Sequence, residues 1–107
     1  MTIQDLVTKY KYIAQLLNER WPIDDHNKRV FARTMKIVEE FGELADEILT
    51  SMHLQRATKI ENFSQLNVED EFADVMGSLL LLANELDIDV EKVMKRKIEF
   101  TLERFEK

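Results

Sequence analysis

Apolar residues recur at spacings of three and four along most of the chain, the period of amphipathic helices rather than strands. Ile3, Leu6, Val7, Tyr10, Ile13, Leu16 and Leu17 form one such stripe and predict a helix over residues 2–19, with Thr2 as its N-cap. Trp21-Pro22-Ile23 ends it, because proline cannot continue a helix interior. Asp24-Asp25-His26-Asn27 reads as a turn rich in capping side chains, and a second helix follows from about 28 to 50. On that helix Val38, Phe41, Ala45 and Ile48 share an arc with Ile37. Residues 51–66 lose the period and read as a long loop. Asn67 is placed to cap a third helix. Phe72, Val75, Met76, Leu79, Leu80, Leu82, Ala83 and Leu86 make that helix apolar nearly all round, which predicts the central position. Asp87-Ile88-Asp89 is the next break. Asp89 then caps a last helix to about 105, with Val90, Val93, Met94, Ile98, Leu102 and Phe105 on its core face.

With only two glycines and one proline in 107 residues, this pattern predicts an all-α chain: a four-to-five-helix bundle forming a single domain over residues 1–107. The net charge of −6 disfavours a nucleic-acid surface or an anionic membrane. It leaves a nucleotide open, because triphosphates arrive with bound Mg²⁺. The absence of cysteine excludes disulfides and thiolate metal sites and fits a reducing compartment. Met-Thr-Ile-Gln-Asp-Leu at the N-terminus lacks the basic start and apolar run of a signal peptide. The most apolar run, Val75–Ala83, falls far short of the about 20 residues of a membrane span. A cytoplasmic protein is expected.

The acidic residues change the picture most. Glu40, Glu43 and Glu47 fall on one stripe of the second helix, with Lys36 on the same side. Like charges at this spacing repel by roughly 0.2–0.5 kcal/mol per pair, a cost that a divalent cation would offset. Glu71 and Asp74 repeat the theme on the third helix, with Ser78 one turn further on. Composition alone accounts for the number of acidic pairs spaced by three, so spacing does not separate a metal site from a solvated face. Position does more, since Glu71 and Asp74 interrupt a nearly continuous apolar helix and a buried carboxylate is costly unless paired or metal-bound. An all-oxygen donor set suits Mg²⁺ or Mn²⁺. Di-iron chemistry is excluded, because His26 and His53 do not stand three after a glutamate. Zinc is disfavoured and no glycine-rich phosphate loop exists. Gly42 and Gly77 lie inside the two acidic helices, where each costs about 1 kcal/mol against alanine. They point to close helix approach beside the acids, or to ordinary packing. A metal-dependent enzyme and a helical interaction module with a partner-facing acidic surface both remain open on these residues.

Glu39-Glu40-Phe41-Gly42-Glu43-Leu44, followed after a loop by Glu71-Phe72-Ala73-Asp74-Val75, resembles the MazG-like nucleoside triphosphate pyrophosphohydrolases of the all-α NTP pyrophosphatase superfamily. The family's signature is E-E-x-x-E on one helix and E-x-x-D on the next. Leu86-Asp87-Ile88-Asp89-Val90-Glu91 is similar to the turn before the last family helix, and Lys97, Arg104 and Phe105 match its Lys, Arg and aromatic positions. The resemblance covers roughly residues 28–105. Thr101 departs from it, standing where many members have asparagine. The resemblance implies Mg²⁺-dependent hydrolysis of (deoxy)nucleoside triphosphates to monophosphate and pyrophosphate, for house-cleaning or control of the nucleotide pool. It also implies a fold completed by dimerisation, as a homodimer or dimer of dimers with the site between protomers. Glu40, Glu43, Glu71 and Asp74 would hold the metal, Glu39 would orient or deprotonate water, and Lys97, Arg104 and Lys36 would contact phosphate. The first helix matches no motif, so base and sugar preference stay open, as does a different pyrophosphate-linked nucleotide as substrate. Trp21, Tyr10 and Tyr12 could stack on a base or pack in a core or interface.

Overall fold

Local capping chemistry sets most helix starts in the computed structural model, which describes all 107 residues as five helices and no strand. These are α1 (Ile3–Arg20), α2 (His26–Ser51), α3 (Ala57–Glu61), α4 (Gln65–Glu85) and α5 (Val90–Phe105). Thr2 and Asp5 close a reciprocal capping box on α1, with bonds of 3.1 and 2.8 Å. Asp25 caps α2 through the Lys28 amide, and Asp89 caps α5 through the Lys92 amide.

Two sequence expectations change. Ser64, not Asn67, caps α4 by accepting from the Leu66 amide at 3.3 Å, so Asn67 lies inside the first turn. Two good capping residues stand three apart there, and the earlier one adds backbone hydrogen bonds to the helix. The segment 51–66 is not all loop, since it holds α3. Five residues make little more than one turn, too short for a period to register.

α4 is the central helix, as its composition predicts. It pairs with α2, packs against α1, and supplies Gly77, Ser78, Leu80, Leu81 and Ala83 to the buried set. A Cβ at Gly77 would stand 2.5 Å from the Tyr10 hydroxyl oxygen and 2.7–2.8 Å from its ring carbons, so the close approach at this glycine is between α1 and α4. Tyr10 is thus a packing residue. Gly42 has no atom within 4 Å of its would-be Cβ, so nothing in the chain approaches it.

The charge order of α2 opposes the helix dipole, and the fold shows what its basic start does instead. Arg29 donates to the carbonyls of Ile23 and Asp24 and to Glu85 Oε2 at 2.7, 3.1 and 3.1 Å. His26 Nε2 lies 2.8 Å from the Glu85 carbonyl oxygen. Together they fasten the α1–α2 connection to the far end of α4.

α5 packs against α1, where Gln4 donates to Glu91 at 2.9 Å, and it contributes no buried residue. Only 8 of 107 residues are buried, and the radius of gyration is 17.0 Å against the about 13 Å of a compact domain of this size. Three stripes stay exposed: Phe31, Met35 and Val38 on α2, Phe72, Met76 and Leu79 on α4, and Met94, Ile98, Leu102 and Phe105 on α5. No helix is long and apolar enough to cross a membrane.

Candidate metal centre

Pairing of α2 with α4 brings Glu40, Glu43 and Glu71 to one place. One carboxylate oxygen from each lies within 4.8 Å of the other two. Glu40 and Glu43 share a side of α2 because they are three apart, and α4 presents Glu71 to both. Glu40 is buried, Glu71 half-buried and Glu43 exposed, so the group opens to solvent on one side.

Two oxygens of these carboxylates, Glu40 Oε2 and Glu71 Oε2, are buried without a hydrogen-bond partner. Such atoms are uncommon, because a desolvated acceptor left unpaired costs about 1–3 kcal/mol. Burial pushes the Glu71 carboxyl above its ordinary value of 4.5, helped by the negative charge of Glu43, a hydrogen bond with Glu43, and the charges of Asp74 and Glu40. The chain by itself relieves the repulsion by favouring a proton on Glu71. A hard divalent cation would relieve it better, meeting the orphaned oxygens and favouring the ionised carboxylates. The donor set therefore fits Mg²⁺ or Mn²⁺.

A family model described as the MazG-like family matches residues 32–106, well over half of the chain. The chain belongs to the MazG-like family. Comparison with curated proteins and with solved structures gives no match. Membership supports a pyrophosphatase-type hydrolase acting on nucleotides. The matched segment of this MazG-like chain holds the whole acidic cluster and α5, and leaves out α1 and Trp21.

The remaining predicted site residues of the MazG-like segment take different places. Asp74 is exposed, outside the group of three, and acts on Glu71 through its charge. Ser78 is buried, but its hydroxyl donates to the Asp74 carbonyl rather than to an acid. Lys36 Nζ lies 3.0 Å from Glu39 Oε1 and 3.2 Å from Glu40 Oε1, and these two bonds raise its pKa above 10.5. Glu39 is exposed beside the cluster. Lys97 and Arg104 lie on α5 over the rings of Phe100 and Phe105, at 5.2 and 5.4 Å, and neither pairs with the acids within one chain. Thr101 donates its hydroxyl to the Lys97 carbonyl. Trp21 and Tyr12 are exposed, and Arg20 stands 5.7 Å from the Trp21 ring centroid.

Sequence reasoning passed over a second polar group beside the cluster. Asp46 on α2 accepts from Lys59 Nζ and Gln55 Nε2, both at 2.5 Å, which ties the α3 segment to α2. The signal was Lys59 and Gln55 themselves, but nothing in their spacing ties them to an acid nine and thirteen residues away.

Proposed function

We propose that the chain is a Mg²⁺-dependent nucleoside triphosphate pyrophosphohydrolase, releasing a nucleoside monophosphate and pyrophosphate. One observation carries this reading: Glu40, Glu43 and Glu71 converge with two buried oxygens unpartnered. In this reading Glu40, Glu43 and Glu71 hold the ion, Asp74 completes the set from outside the group of three, and Mn²⁺ can substitute. When bound, Mg²⁺ supplies Lewis acidity at the phosphate oxygens and neutralises charge that develops in the transition state. Glu39 orients a water and takes its proton as the new bond to the α-phosphorus forms. The bond between that phosphorus and the bridging oxygen breaks, and pyrophosphate leaves. Lys36, already between Glu39 and Glu40, meets a phosphate oxygen at the rim of the cluster.

Lys97 and Arg104 contact phosphate from a second copy of the chain, because within one chain α5 packs on α1. The homodimer, or dimer of dimers, is supported by the exposed stripes on α2, α4 and α5 and by the thin single-chain core. A helix that is apolar nearly all round, as α4 is, is built to be covered on most of its sides.

A panel of ribo- and deoxyribonucleoside triphosphates with Mg²⁺, assayed for pyrophosphate, tests the reading. Wild type is expected to release pyrophosphate, and Glu43→Gln to cut the rate by roughly 100-fold or more while keeping its helical circular dichroism. No pyrophosphate from any nucleotide would remove the enzyme. Calorimetry adds a second arm, since an interaction module without chemistry gives no saturable Mg²⁺ binding.

A further inference from the structure

One turn beyond the acidic cluster lies an open cavity of about 300 Å³ with no apolar residue in its lining. Asp46 and Glu47 come to it from α2, Asn67 from α4, and Arg56, Thr58 and Lys59 from α3 and its N-cap. Its position follows from the helices. Glu47 is four residues after Glu43 and Asn67 four before Glu71, so each helix leads from the cluster to the cavity along one side, about 6 Å along the axis.

The polar groups here divide into committed and free. Lys59 and Gln55 are held by Asp46, and the Thr50 hydroxyl donates to the Asp46 carbonyl. Asn62 donates to the Thr58 carbonyl, whereas the side chains of Glu47, Arg56, Thr58 and Asn67 make no hydrogen bond or ion pair within the chain. The lining holds two acids, Asp46 and Glu47, and two bases, Arg56 and Lys59, so it has no net charge to draw a phosphate, while the free Glu47 carboxylate accepts strongly from hydroxyl groups. A nucleobase wants an apolar or aromatic wall to stack on, and this cavity has none. A neutral group rich in hydroxyls satisfies both conditions.

We infer that this cavity is the sugar subsite, and that it takes the ribose of a ribonucleotide whose phosphates lie at the acidic cluster. The inference rests on the pyrophosphohydrolase reading and extends it to the substrate class. The 5′-phosphate links sugar to cluster over about one helical turn, the offset between Glu43 and Glu47. Glu47 accepts from the 2′-hydroxyl, Asn67 and Thr58 hydrogen-bond the 3′-hydroxyl from the opposite wall, and the Asp46–Lys59–Gln55 bridge keeps α3 in place as the floor. Loss of the 2′-hydroxyl leaves the Glu47 carboxylate short of a donor, which disfavours the deoxy sugar.

The test compares kcat/KM for ribo and 2′-deoxy forms of the same base in wild type, Glu47→Ala and Asn67→Ala. Wild type is expected to favour the ribo form by about tenfold. Glu47→Ala lowers kcat/KM for the ribo form by a similar factor, changes the deoxy form less than about twofold, and so erases the preference. Asn67→Ala weakens both forms, mainly through KM. Ribose 5-phosphate is expected to inhibit wild type more strongly than 2-deoxyribose 5-phosphate, a readout independent of the base. Equal use of the two sugars by an active wild type, or equal losses for both in Glu47→Ala, overturns the subsite and leaves the enzyme standing. A wild type inert to every triphosphate overturns both.

Discussion

α4 and α5 are both capped helices rich in apolar residues, yet they end in opposite situations. α4 supplies five of the eight buried residues, and α5 supplies none. Leu80 and Leu81 are covered by neighbours within the chain, while Met94, Ile98, Leu102 and Phe105 face outward. An apolar stripe thus records that a face is to be covered without recording by what. The chemistry follows the same division. The acidic cluster sits in the α2–α4 pair, the best-anchored part of the chain, where rigid backbone can hold like charges together. The candidate phosphate-binding Lys97 and Arg104 sit on the helix that depends most on assembly.

That contrast can be tested from its strongest side. Leu80→Ala opens a cavity where the chain is already closed, and is expected to cost about 3 kcal/mol at any protein concentration in chemical denaturation. Ile98→Ala on α5 is expected to cost within about 0.5 kcal/mol in the dilute single chain and to act instead on self-association, seen as a weaker dependence of Tm on concentration. Equal, concentration-independent losses would erase the distinction between the two helices.

Arg29→Ala comes next, at about 2 kcal/mol by urea denaturation, because it strips the 10%-exposed Glu85 side chain and two carbonyls of their donor. Gly42→Ala is smaller and has two signs. With open space around it, alanine is expected to raise the stability of the dilute chain by up to about 1 kcal/mol. It is also expected to weaken self-association in ultracentrifugation, since Gly42 lies one turn beyond Val38 in the exposed stripe of α2.

The smallest effect is a slope with pH. Glu71 titrates above 4.5 in the folded chain, so between 4.5 and that raised value the folded state holds a proton that the unfolded chain has released. Metal-free stability is therefore expected to fall as pH rises through this window, with its full value kept below 4.5. Glu71→Gln removes that component. Mg²⁺ reverses the preference by favouring the ionised form, so at a pH within this window its binding releases a proton, measurable by calorimetry in two buffers of different ionisation enthalpy.

Much of this was legible along the chain. Thr2, Asp89 and the three-and-four spacings announce α1, α2, α4 and α5 because helix periodicity and capping are local properties. Glu40, Glu43 and Glu71 stood out because acids beside apolar stripes cost free energy unless something offsets them. α3 was not legible, since a five-residue helix held by an Asp46–Lys59 pair depends on a contact thirteen residues apart.

The sequence by itself determined the helices, their apolar faces and which acids share one side of a helix, because each depends on residues within a turn or two of one another. Tertiary structure alone decided that Glu71 meets Glu40 and Glu43 while Asp74 stands outside, that Gly77 answers to Tyr10, and that Glu47 and Asn67 face a common cavity. Those outcomes depend on the register between α2 and α4, which is set by packing of whole helix faces and is written in no single stretch of residues.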